Sequence, residues 1–190
     1  MAGDNRPLRA DAERTVRTIL EAAERVLAGN PAATMEQVAE AAGVSRTTVH
    51  RRFATREALL DGIAESAIRQ LSDAVDAGRV GTAPPLIALH QATVNVLKVK
   101  LGRRFAFSHL SPSNPVVAAL QAELIEKSDA WFRRVRDAGL IKAEVDPAWA
   151  RRVYYALINE TFHDSADSAD DGEIDALADR VVRTLLHGIA

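Results

Sequence analysis

Residues 34–53 read TMEQVAEAAGVSRTTVHRRF, and three of them leave the chain little freedom. A small side chain at Ala39 lets two helices cross closely, and Gly43 admits a tight turn between them. Val49, ten residues after Ala39, plugs the angle from the other side. That spacing is what a helix-turn-helix needs. The ends agree with it: the Thr34 hydroxyl can accept from the amide of Gln37 while the Gln37 side chain reaches back, a Thr-x-x-Gln capping box. Ser45 is a good N-cap for the following helix. Val49 and Phe53 then face inward, which leaves Arg46, Thr47, His50 and Arg51 outside.

This outer face suits a polyanion. Residues 44–55 hold three arginines and no acid, although the 190-residue chain has a formal net charge of -2. Any contact with nucleic acid therefore has to come from this local concentration of charge. The opposite pole lies at residues 164–175, where six acids occur without a lysine or arginine.

The rest of the sequence predicts an all-α chain of about nine helices. Hydrophobic residues make up 47% but aromatics only 5%, and alanine is abundant, which favours close-packed helices over sheets. Residues 1–10 read as a flexible arm carrying Arg6 and Arg9, and a first helix runs from Ala12 to about Ala28. Its apolar face is Val16, Ile19, Leu20, Ala23, Val26 and Leu27, with Gly29 as a left-handed stop. After the helix-turn-helix, Thr55 opens a fourth helix that runs to about Ala77, closed by Gly78 and Gly81. A fifth, residues 86–101, is apolar on most sides and is expected at the centre of a bundle. Residues 103–114 are shorter and irregular. A seventh helix ends at Gly139, Asp146-Pro147 starts an eighth that reaches about His163, residues 164–172 read as a solvated acidic loop, and residues 174–189 form an amphipathic last helix.

Several chemistries are disfavoured. With no cysteine, disulfides, thiolate zinc sites and thiol catalysis are excluded. There is no Gly-x-Ser-x-Gly elbow and no glycine-rich phosphate loop, so an enzyme is not expected, and no cofactor is called for. His163-Asp164 with Asp167 lacks the ordered spacing of strong metal sites. The N-terminus has no signal-peptide core and no apolar run approaches the ~18 residues that span a membrane, so the expected location is cytoplasmic.

The stretch AAGVSRTTVHRRFATREALLDGI, residues 41–63, resembles the signature of tetracycline-repressor-type (TetR family) transcriptional regulators. In that signature a Gly-Val-Ser turn leads through the recognition helix to an aromatic residue and a Lys/Arg-Glu-x-Leu helix start. This chain departs from it at the end of the recognition helix, where the common Leu-Tyr-x-His-Phe is Val49-His50-Arg51-Arg52-Phe53. His50 can replace the hydrogen bond of the tyrosine but not its ring area.

The resemblance implies a DNA-binding domain over residues 1–55 and an effector-binding and dimerisation domain over 56–190. Position by position, it offers Arg46, Thr47 and His50 for bases and Thr34, Thr48, Arg52 and Arg56 for phosphates. It implies a homodimer on a palindromic operator, joined through the last two helices by Leu177, Val181, Leu185 and Ile189, so that Val181→Glu would give a monomer. It also implies repression relieved by a small effector, and the scarcity of charged residues in the segments expected to line its pocket points to a mainly apolar or aromatic one. Phe105, Phe107, His109, Trp131, Tyr154, Leu157, Asn159 and Phe162 are the candidate lining. The rival reading is a helical adaptor that keeps the helix-turn-helix only as a packing unit.

Overall fold

The computed structural model describes residues 6–110, 114–165 and 169–188, with side chains from residue 11. The described residues form nine helices and no strand: α1 Arg6–Gly29, α2 Met35–Ala41, α3 Arg46–Arg52, α4 Arg56–Ala77, α5 Pro85–Gly102, α6 Arg104–Ser108, α7 Pro115–Asp137, α8 Pro147–Asp164 and α9 Asp171–His187. They gather into two compact units. One holds the described residues up to Ser66 and the stretch beginning at Phe105; the other holds Ala67–Arg104 and the chain from Pro115 onward.

In the first unit Ile19, Leu20, Ala23 and Leu27 of α1 are buried, as are Val38, Ala39 and Val49 of α2 and α3 and Leu59 and Ile63 of α4. Two details differ from the sequence reading. The first helix begins at Arg6 and not at Ala12, because Pro7 in a first turn forfeits no hydrogen bond and Leu8, Arg9 and Ala10 favour helix. Gly29 is the last helical residue and takes no left-handed conformation; Pro31 alone prevents continuation.

In the second unit α5 packs against α7, α8 and α9, which is why it is apolar nearly all round: Ala88, Leu89, Ala92, Val96 and Leu97 are all buried. α4 meets it through a close approach. A Cβ on Gly78 would stand 2.7 Å from the Ala92 side chain and 2.8 Å from its Cα. The glycine is there for space, whereas the left-handed residue at this helix end is Arg79, φ 55°. Gly78→Ala is therefore expected to destabilise the protein by about 1–3 kcal/mol, as overpacking does. Urea denaturation checks this, and an unchanged midpoint would refute the close contact.

The acidic run is only partly a loop. Asp170 is the N-cap of α9 and accepts from the amide of Glu173 at 2.8 Å, while the Glu173 carboxylate accepts from the Asp170 amide at 3.0 Å. Acids concentrated there suit a helix N-terminus. Asp167 and Ile189 lie outside the described residues.

Candidate functional site

The turn between α2 and α3 has the geometry that its residues dictate. Gly43 takes φ 65°, the Val44 amide donates to Ala39 O and the Gly43 amide to Glu40 O, each at 3.0 Å. This is a Schellman stop. Ser45 then accepts from the Thr48 amide at 3.1 Å and its hydroxyl lies 2.8 Å from that of Thr48. The capping box at Thr34 is complete, with the Gln37 amide donating to Thr34 Oγ1 at 3.3 Å and the Thr34 amide to Gln37 Oε1 at 2.8 Å. Phe53 anchors the far end of α3 against Gly62, where a Cβ would come within 2.8 Å of its ring.

So held, α3 buries Val49 and exposes Arg46, Thr47, Arg51 and Arg52, with Thr48 and His50 half-buried. Arg46 is not free. Its Nη1 pairs with Glu36 Oε1 at 2.8 Å, and its Nε points to His50 Nε2 at 3.5 Å. The Glu36 carboxyl is held below its ordinary range, first by its own backbone amide and then by Arg46, the Thr34 hydroxyl and His50. This acid escaped the sequence reading because it stands on α2, ten residues before its partner. Arg56, expected on phosphate, instead donates through Nη1 to Ala33 O and through Nη2 to Pro31 O. It ties the start of α4 to the turn that presents Thr34.

A separate feature lies within the second unit, a cavity of about 100 Å³. Of the eight sequence candidates, Trp131, Tyr154 and Asn159 line it. Phe162 is buried but does not: its ring lies under Arg104 at 4.6 Å and Lys100 at 5.1 Å. Leu157 is half-exposed elsewhere on α8, one residue before the lining Ile158. Phe105, Phe107 and His109 belong to the other compact unit, where Phe105 and His109 stack at 4.3 Å. Sequence reasoning missed Lys100, Ser128 and Tyr155, which line the cavity with apolar residues of α4, α5, α7 and α8.

The polar groups of this wall are mostly spent on each other. Thr93 donates to Leu89 O at 2.6 Å, so the Tyr154 hydroxyl, 3.1 Å away, donates to Thr93 Oγ1. Tyr155 donates to Ser128 Oγ and Ser128 to Leu124 O, both at 2.8 Å. Burial raises both phenols above their usual pKa, so they stay neutral. Lys100 Nζ donates to Asn159 Oδ1 at 2.7 Å, and burial brings its pKa down to about 8. The exception is Trp131, 3% exposed, whose indole Nε1 is buried without an acceptor. An orphaned donor of that kind costs about 1–3 kcal/mol.

Residues 19–63 match the model of bacterial regulatory proteins of the tetR family. Over 177 residues the chain is 33% identical to the transcriptional repressor LfrR of Mycolicibacterium smegmatis, covering 93% of this chain and 91% of LfrR. The chain belongs to the TetR family. It is a DNA-binding transcriptional regulator with the helical architecture of that family. A second relative, the HTH-type transcriptional regulator NfxB of Pseudomonas aeruginosa, is 27% identical over 145 residues, 74% of this chain and 76% of NfxB. The crystal structure of LfrR in complex with proflavine superposes with a TM-score of 0.75 at 30% identity, covering 94% of this chain and 97% of that one. PfmR of Thermus thermophilus shares the fold, with a TM-score of 0.75 at 23% identity over 90% of this chain and 98% of its own.

Within this TetR-family chain the helix-turn-helix was legible residue by residue, since cap, turn and plug are local. Lys100 had a signal too, as one of two lysines in the otherwise apolar run VLKVKLG. A charge on a mostly buried helix needs a reason.

Proposed function

We propose that the chain is a cytoplasmic repressor that leaves its operator when a small, mainly apolar effector enters the cavity. The observation that carries the reading is the placement of α3, its acid-free outer face held in fixed register by Gly43, Ser45 and Phe53. Phosphate contacts fix register while base-edge contacts choose sequence. Arg46, Thr47 and His50 stand for bases, with Arg46 able to grip guanine O6 and N7 and the Thr47 methyl able to meet a thymine methyl. Thr34, Thr48 and Arg52 stand for phosphates. Arg56 acts one step back, by fixing the turn that offers Thr34.

Two such units joined by a two-fold axis would read an inverted repeat. We place the pairing face on α8 and α9, supported by Val153, Leu157, Leu177 and Leu185, apolar yet only half-buried within one chain. Release follows if the effector prefers a state with α4 displaced, since a ligand shifts an equilibrium only by its differential affinity. α4 is one helix whose Leu71 and Val75 line the cavity and whose Arg56 holds the turn before α2. The functional division is then residues 1–55 for DNA and 56–190 for effector and partner.

Salt-sensitive binding to duplex DNA from upstream of its own coding sequence is the expected result, and no binding at low salt would favour an adaptor. In the same assay Arg46→Ala is expected to lose about 1–3 kcal/mol on the preferred site and to relax one base position. Equal losses on preferred and random DNA would remove Arg46 from base reading.

A further inference from the structure

We infer that α8 packs antiparallel on its copy in a second chain, about a two-fold axis at Ala156, with reciprocal ion pairs between Arg152 and Glu160 of the partner subunit. This rests on the pairing face proposed above and gives it a register. Within its own chain α8 is held by Ala150, Tyr154, Ile158 and Phe162, all buried. The opposite side of the helix carries a different set. Trp149, Ala156 and His163 follow one another there at intervals of seven residues, the repeat of a helix seam, with Arg152, Val153 and Glu160 beside them. Trp149 is 56% exposed, and Arg152, Ala156, Glu160 and His163 are exposed with it.

The order of residues on this side is complementary to itself. α8 runs Pro147–Asp164, so Ala156 lies at its middle. Arg152 and Glu160 stand four residues to either side of Ala156, and Trp149 and His163 seven. A two-fold axis crossing the helix there sets Arg152 against Glu160 of the partner subunit and Trp149 against His163 of the partner subunit, each contact made twice. The small side chain at the crossing lets the two helix axes approach closely. Parallel copies would instead oppose arginine to arginine and glutamate to glutamate. Both charges are available: Glu160 makes no ion pair among the described residues, and the Arg152 guanidinium lies over the Trp149 ring at 5.4 Å, on the side that the seam would cover. Trp149 itself is the kind of residue that anchors such a seam once it leaves water.

Charge reversal separates this register from any other, read by sedimentation equilibrium of the full chain in about 0.1 M salt. Arg152→Glu opposes acid to acid across the axis and Glu160→Arg opposes arginine to arginine. Each variant alone is therefore expected to dimerise at least about tenfold more weakly than the parent. Mixed in equal amounts, the two are expected to pair with each other about as tightly as the parent pairs with itself, because both contacts then join opposite charges. The double variant Arg152→Glu/Glu160→Arg is expected to dimerise within about threefold of the parent and not to pair with it. These positions are exposed, so the helical circular dichroism of every variant should match the parent's. Single variants that dimerise like the parent, or a mixture that stays monomeric, overturn the register while leaving the pairing face to be judged on α9 by Leu177→Glu. A parent chain that is monomeric at every concentration removes the face as well.

Discussion

Glutamate at position 181 is expected to unfold the helices around α9 instead of separating two subunits. The amphipathic stripe of the last helix makes Val181 look like a pairing residue, but within a single chain it is only 2% exposed, beside Ala178 and Val182. A carboxylate there has no partner and must either stay charged in an apolar setting or take up a proton. An uncompensated buried charge costs about 3–5 kcal/mol. Thermal and urea melts of Val181→Glu should therefore show large destabilisation or no cooperative transition. A folded Val181→Glu monomer melting like the parent would contradict the burial.

Leu177→Glu is the substitution that should break the pair. Leu177 is half-buried at the flank of the α9 stripe, where a charge remains hydrated and the fold survives. In a dimer paired through this face the same position would be covered, and a glutamate from each subunit would be buried in the seam. The expected result is a monomer by sedimentation, with a melting profile close to the parent. Its affinity for a two-half-site operator should fall by about 10²–10⁴-fold, the factor lost when two tethered contacts become one. A dimer that persists with full affinity would move the pairing face off α9.

The contrast between Val181 and Leu177, two positions of one apolar stripe, shows what sequence could and could not convey. Most features made by residues within a few positions of one another were readable, although the left-handed stop expected at Gly29 is not formed. The Thr34 capping box, the Gly43 turn, the Ser45 cap and the Asp146 N-cap, which accepts from the Ala148 and Trp149 amides at 3.2 Å, are local chemistry. So is the stop at Gly139, φ 75°.

Long-range partners were not readable in this way. Periodicity says that Leu177, Val181 and Leu185 share an apolar side, but not which of them the chain itself covers. Nothing local to Arg46 announces Glu36, and nothing local to Arg56 announces the carbonyls of Pro31 and Ala33. The cavity shows the same limit. Aromatic residues were singled out for size, and Trp131 and Tyr154 do line it, but Phe162 is held instead beneath two cations. Lys100, Ser128 and Tyr155 come together only because α5, α7 and α8 pack side by side.

Glu36 also gives the helix-turn-helix a property beyond a basic face. Its ion pair with Arg46 is exposed, with 66% of the arginine side chain and 49% of the glutamate accessible, so it is a weak restraint screened by salt. It holds the guanidinium in one orientation until a stronger acceptor is offered. A guanine edge, accepting through O6 and N7 together, is such an acceptor.

The most direct test of base reading by a paired α3 is selection of bound duplexes from a random pool by the full-length protein at physiological salt. The expected outcome is an enriched inverted repeat, its half-sites centred about 10–10.5 base pairs apart or a multiple of that, each with a guanine whose selection disappears in Arg46→Ala. Recovery of unenriched DNA, or of a single half-site without symmetry, would contradict it.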